Sequence, residues 1–359
     1  MNQSISFSSR THLKTRRSQS RRKEDYFAEN YQLKSLIGKG SFGEVYEILS
    51  LKDQQTAYVA KIFDISSPQN NKNLRTDLQQ EAIILKNLKD KSGFPKFKEY
   101  LTFGSKEFLI MSRLGPNLED LALFCGGKFS LKTVLMIGIQ AIKLIEKLHD
   151  TSYLHRDIKP SNFVIQFEGK NDMEISLLDF GLSCSYLDEK KNHIQFARDG
   201  KVSGTLSFMS LYGMMGMTSS RRDDLISLGY MLVHLFKGEL PWTKFDGKDD
   251  KIETDAEMIY KTKITALVSD LCSGFPDKFV EYFSYALKLD FKETPDYSYL
   301  VELFEKMMTQ KGFQNDGVFD WNTKKFQSGI DLQARKITGP PLKKYLRKAS
   351  ESYELLSNE

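Results

Sequence analysis

At 359 residues, 40% hydrophobic and 12% aromatic, the chain has enough apolar material for one large domain or two small ones, and it is no short disulfide-stapled peptide. Its three cysteines, Cys125, Cys184 and Cys272, are far apart and form no CxxC pair, which excludes a disulfide framework and a cysteine zinc site. The formal charge of +5 sits at the ends: residues 1–23 carry +7 and 323–359 carry +4, leaving −6 for the body, which argues against a cationic DNA-binding core. Nucleic acid is expected to make no more than weak, salt-sensitive contacts with the N-terminal arm. No stretch reaches the roughly 18 apolar residues of a membrane helix and no apolar signal region opens the chain, so a protein without a membrane span is expected. With the cysteine usage, this predicts a reducing intracellular home, cytoplasmic or nuclear.

Residues 1–25 mix Ser, Arg, Gln and Thr without apolar periodicity and read as a disordered basic tail. From 31 to 51 short β-like runs surround glycines, and AYVAKIF at 57–63 is a further strand whose alternation places Val59, Lys61 and Phe63 on one face. Asp77 is a candidate N-cap for the helix LQQEAIILKNL, with Leu78, Ala82 and Leu85 on one side. Strand-like sequence then continues to Met111. After the Gly115-Pro116 break, Ser130 opens a long helix through Val134, Ile137, Ala141, Ile145 and Leu148 that ends near His149. FVIQF at 163–167 and EISLLDF at 174–180 form a hairpin across EGKND, and helical patterns dominate from there on. A small sheet domain thus precedes a larger helical one. The basic extension 323–359 sets Leu342, Leu346, Ala349, Tyr353 and Leu356 on one face of an amphipathic helix.

Three constellations carry chemistry. Gly38, Gly40 and Gly43 form GKGSFG, in which a backbone without Cβ can approach phosphate oxygens closely. The β-like EVYEIL that follows argues for a hairpin over phosphates and against a dinucleotide turn, with a plain structural turn as the alternative. Lys61 lies between two apolar neighbours on its strand face. Glu81, mid-helix beside apolar residues, could hold that ammonium in place and leave it able to meet phosphate; a solvated strand lysine and an exposed helix acid are the alternatives. The strongest signal is HRDIKPSN at 155–162 followed by LLDFG at 177–181. The intervening hairpin can bring Asp157, Asn162 and Asp179 to one end, giving oxygen ligands for Mg²⁺ and a separate carboxylate for an attacking hydroxyl. His155 reads as a packed loop residue.

These strings resemble the protein-kinase signature set over roughly residues 31–322. LGPNLEDL at 114–121, KFSLKTVL at 128–135, the run SRRDDLISLGYMLVHLFKGELPW at 220–242, PDYSYL and GVFDW are similar to the casein kinase 1 family, as is SLY at 210–212 in place of APE. The resemblance implies an α+β bilobal fold, with a β-rich N-lobe containing one helix over 31–113 and a larger helical C-lobe over 114–322. It implies a Ser/Thr protein kinase using ATP and Mg²⁺ on protein substrates, expected as a monomer. Residue by residue, Asp157 would orient the substrate hydroxyl, Lys159 would neutralise the moving phosphoryl group, and Asn162 and Asp179 would hold the metal. Ile37, Gly38, Lys39, Gly40, Ser41, Phe42, Gly43, Glu44, Val45 and Val59 would cover the nucleotide. Lys61 would contact its phosphates, fixed by Glu81. Met111 would be the gatekeeper, and Ser112, Arg113 and Leu114 the hinge that meets adenine. Asp224 would anchor the catalytic loop from a buried helix, and Thr205 with Lys159 marks Ser/Thr specificity. The family's arginine two residues after the activation-segment GT is Ser207 here, and KFDGKDDKIETD at 244–255 is on balance acidic, so the cations that would favour acidic or phosphorylated substrates are partly missing. The rival class is a pseudokinase scaffold, marked in sequence by loss of the Lys, the HRD Asp or the DFG Asp, all of which are retained here.

Overall fold

The computed structural model describes residues 26–27, 30–40, 43–52, 57–66, 72–166, 174–198, 202–245 and 252–323. The expectations for the tail 1–25, for Ser41 and Phe42, for the turn EGKND, for residues 246–251 of the 244–255 loop and for the helix 342–356 lie outside the described residues.

The β-branched and aromatic runs of the first hundred residues pair into one antiparallel sheet. Its strands are β1 (Tyr26–Phe27), β2 (Tyr31–Gly40), β3 (Gly43–Ser50), β4 (Tyr58–Asp64), β5 (Phe97–Phe103) and β6 (Lys106–Ser112), in the order β1-β2-β3-β4-β6-β5. Period-two alternation gives the sheet two apolar faces. Tyr58, Ala60 and Ile62 join Tyr31, Ile48, Phe108 and Ile110 on one of them. Phe63, on the other, packs into the main core with Leu78, Ala82 and Leu85 of helix α1 (Lys72–Asn87). This helix begins five residues before Asp77, which is therefore internal and no N-cap. The segment KNLRT contains neither Pro nor Gly, so nothing in it stops the helix from extending back past a capping-type residue.

The helical part follows: α2 (Leu118–Phe124), α3 (Leu131–His149), α4 (Leu211–Met214), α5 (Arg221–Lys237), α6 (Ile252–Thr265), α7 (Val268–Leu271), α8 (Asp277–Lys288), α9 (Tyr297–Gln310) and α10 (Asp320–Thr323). Short pairs interrupt it: β7 (Tyr153–Leu154) with β10 (Cys184–Ser185), and the hairpin of β8 (Phe163–Ile165) with β9 (Ile175–Leu177). Ser130 caps α3 as its sequence predicts, its Oγ accepting the Thr133 N–H at 3.3 Å. The result is a β-sheet N-lobe and a helical C-lobe, an α+β bilobal fold.

Helix α5 is buried along most of its length, and α3 packs between it and α9. The α3–α9 approach is close because position 138 lacks a side chain: a Cβ there would lie 2.2 Å from Cε1 of the fully buried Phe304 ring. Gly138→Ala is therefore expected to cost about 1–3 kcal/mol of stability by overpacking. Urea unfolding read by tryptophan fluorescence checks this, and an unchanged midpoint would contradict the packing.

Candidate active site

Between the sheet and the helical lobe lies a cleft of about 510 Å³. Its roof comes from β2, β3 and β4 and includes Ile37, Gly38, Lys39, Gly43, Val45, Val59 and Lys61. Gly43, with φ +114°, is a position only glycine tolerates: a Cβ would sit 2.3 Å from the carbonyl oxygen of Ile62. Strand alternation aims Val45 into the cleft, so its neighbour Glu44 is not among the lining side chains; it pairs instead with Lys39 at 3.1 Å and accepts from the Tyr46 hydroxyl at 2.9 Å. Gly40 ends β2 opposite Gly43.

The back of the cleft is electrostatic. Lys61 Nζ donates to Glu81 Oε2 of α1 at 2.7 Å and to Asp179 Oδ1 at 2.8 Å, with the lysine 7% and Glu81 2% exposed. Burial alone would lower the lysine's pKa, but the two carboxylates outweigh it and hold the ammonium above its ordinary value. Asp179 shows the mirror effect: burial pushes it up, and the Lys61 charge brings it below the usual carboxylate range. Its backbone is left-handed, φ +67°, which turns the chain at the end of β9. Phe180 is fully buried, its ring 5.5 Å from that of His155 and 6.1 Å from that of Phe94, and its N–H donates to Glu81 Oε1 at 3.3 Å.

The floor holds residues of the HRDIKPSN run. Lys159, Ser161 and Asn162 line the cleft, with Asn162 closing the 3₁₀ turn Pro160–Asn162 before β8. Asp157 stands beside them, 6% exposed, its Oδ2 2.7 Å from Lys159 Nζ. Its Oδ1 accepts the Thr205 N–H at 3.0 Å and the Thr205 hydroxyl at 2.8 Å, and Lys159 Nζ lies 3.0 Å from the same hydroxyl. Asn162 Nδ2 donates to the Asp157 carbonyl at 2.7 Å and to Oδ2 at 3.2 Å.

This loop is held from below. Asp224 of α5, 1% exposed, accepts the N–H groups of His155 and Arg156, each at 2.8 Å, and bonds His149 Nε2 at 2.9 Å. Burial would raise its pKa, but His149 and these donors bring it below the ordinary value. His155 Nε2 meets the Leu178 carbonyl at 3.1 Å, so this histidine is a packed loop residue.

The cleft's remaining wall is β6 and the chain after it. Met111, opposite Val59 across the β4–β6 pairing, lines it with Ser112, Arg113 and Leu114. Arg113 N–H is taken by the Ala57 carbonyl, its guanidinium pairs with Glu47, and Ser112 N–H goes to the Lys96 carbonyl. Leu114 N–H has no acceptor among the described residues. Sequence reasoning missed Pro95, Asn117, Asp120, Val164 and Leu178, which also line the cleft. Asn117 and Asp120 lay inside LGPNLEDL without a role: Asn117 caps α2, accepting the Asp120 N–H at 2.8 Å. Val164, one residue beyond the turn, carried no polar signal.

Residues 118 positions apart, Lys61 and Asp179, thus share one ion pair in a cleft also lined by Lys159 and Asn162, the two residues that hold Asp157. A family model described as protein kinase domain matches residues 31–310, from the first residue of β2 to the last of α9. Fold, ion-pair network and match agree, and the chain belongs to the protein kinase family, whose members are phosphotransferases.

Proposed function

We propose that this kinase is a serine/threonine kinase of the casein kinase 1 type, which moves the γ-phosphoryl group of Mg·ATP to Ser and Thr hydroxyls of protein substrates. The observation that carries the reading is the Lys61–Glu81–Asp179 network facing the Asp157–Lys159–Thr205 cluster across one cleft. Val59 and Met111 give apolar contact for a purine, and the unpartnered Leu114 N–H is available to one of its ring nitrogens. Lys61, already fixed by Glu81, points its cation toward the phosphates, while Gly38 and Gly43 let the backbone approach them.

The residues fit a magnesium ion. Asn162 Nδ2 is occupied by Asp157, and Asp179 Oδ1 by Lys61, which leaves Asn162 Oδ1 and Asp179 Oδ2 without hydrogen-bond partners among the described residues. Two hard oxygen donors beside a phosphate site suit Mg²⁺, which completes its shell with water and phosphate oxygens. When bound, the ion neutralises phosphate charge. Asp157, immobilised by Thr205 and Lys159, orients the acceptor hydroxyl and takes its proton as the new O–P bond forms and the bond to ADP breaks. Lys159 balances charge on the moving phosphoryl group. The Lys159–Thr205 hydrogen bond supports Ser/Thr over Tyr. No helix among the described residues is long and apolar enough to cross a membrane.

The test is transfer from γ-labelled ATP with Mg²⁺ to peptide libraries offering Ser, Thr or Tyr in acidic, phosphorylated or basic surroundings. Label on Ser and Thr is expected, with no strong preference for acidic neighbours because position 207 carries no cation. Label on Tyr alone would overturn the Ser/Thr assignment, and binding of nucleotide without any transfer would favour the scaffold alternative.

A further inference from the structure

Residues 206–209 run between two fixed points. Upstream, Thr205 is bound to Asp157; downstream, the Ser210 hydroxyl donates to Asp223 Oδ1 of α5 at 2.5 Å. Between them, three backbone carbonyls are held from the helical lobe. Lys263 of α6 donates from Nζ to the carbonyl of Leu206 at 2.8 Å and to that of Met209 at 2.6 Å, and Trp242 Nε1 donates to the carbonyl of Ser207 at 2.8 Å. The lysine is 3% exposed, and its ammonium lies 4.8 Å from the ring centre of Tyr230 and 4.9 Å from that of Trp242.

A lysine buried to this degree needs partners for its charge, and carbonyl dipoles and aromatic faces are among those it finds here. An apolar side chain of the same length would fill the space without the cost of desolvating an ammonium, so packing alone gives no reason for a cation here. What the cation adds is a directional grip on two carbonyls three residues apart, which fixes the curvature of the segment adjoining Asp157. Ser207 and Met209 are buried, while Leu206 and Phe208, which alternate with them, are half-buried.

We propose that Lys263 is a positioning residue for the polypeptide substrate: it clamps residues 206–209, whose Leu206 and Phe208 pack back onto the helical core, into the strip on which the chain flanking the acceptor hydroxyl rests. The inference rests on the protein-kinase reading of the cleft. Lys263 touches neither nucleotide nor acceptor, and it acts through the segment it holds.

The experiment uses the full chain with Lys263→Met, which keeps length and loses the donor, and Lys263→Arg, which keeps charge and donors. Lys263→Met is expected to raise the peptide KM about tenfold or more while the Kd for a fluorescent ATP analogue changes less than about twofold, since the displacement is confined to the substrate strip. Lys263→Arg is expected to recover most of the loss. Amide hydrogen exchange supplies a readout that needs no substrate: residues 205–210 should exchange faster in Lys263→Met, with 155–162 and 177–181 unchanged. An unaltered peptide KM, a parallel loss of nucleotide affinity, or faster exchange throughout the helical lobe would each overturn the proposal. If the wild-type chain binds nucleotide but labels no peptide, the kinase reading of the cleft is what fails, and the exchange measurement still decides whether Lys263 clamps the segment.

Discussion

Asp157→Asn is expected to leave the chain folded and able to bind nucleotide while slowing phosphoryl transfer about 10²- to 10⁴-fold, the range for losing a positioned general base. The side chain is 6% exposed and its Oδ1 accepts two bonds from Thr205, which an asparagine carbonyl can still accept. The change falls on Oδ2. There a carboxylate oxygen lies 2.7 Å from the Lys159 ammonium and accepts from Asn162 Nδ2, whereas an amide NH₂ would confront two donors and could take no proton. Lys159, a quarter exposed in its side chain, can swing toward solvent, so the stability penalty should stay near 1 kcal/mol. Labelled-ATP turnover and analogue binding, measured on one preparation, separate the effects. Undiminished turnover would remove Asp157 from its assigned role, and equal loss of nucleotide binding would make it a structural residue.

Lys61→Met is expected to reduce transfer by about 10²-fold or more, because the cation facing the phosphates is gone and only the Phe180 N–H to Glu81 bond still ties the helix acid to the segment that carries Asp179. Unlike the first substitution, it should also carry a stability signature with a definite sign. Burial already pushes the Glu81 carboxyl up while Lys61 pulls it back, and Asp179 sits low because Lys61 outweighs its burial. Without the ammonium, two buried carboxylates face each other, and the folded state retains a proton that the unfolded chain would release. Folding then binds more protons than unfolding, so stability falls as pH rises, and the variant's deficit against wild type should widen between about pH 5 and pH 8. Melting temperatures across that range test the argument; a deficit constant with pH would show that the three groups are not electrostatically linked.

What could be read in the sequence follows a physical division. Local rules worked where the cause is local. Ser130 caps α3, whose apolar spacing carries it to His149, and strand alternation places Val59, Lys61 and Phe63 on the side of β4 that meets the cleft and α1. The same local reasoning failed at Asp77, where nothing upstream ended the helix.

Ordered motifs made the reactive side chains recognisable as a set: a lysine in a strand, an acid in the following helix, and HRDIKPSN before LLDFG are one-dimensional facts that needed no coordinates. Their meeting point needed the fold, because the attraction between Lys61 and Asp179 acts through space across 118 residues of chain and leaves no trace in spacing. Lys263 marks the limit most sharply. In KTKITAL it is one of two lysines on a helix of mixed polarity, where solvation is the default, and only the packing of α6 beneath residues 206–209, with the rings of Tyr230 and Trp242 closing around the ammonium, turns that charge inward.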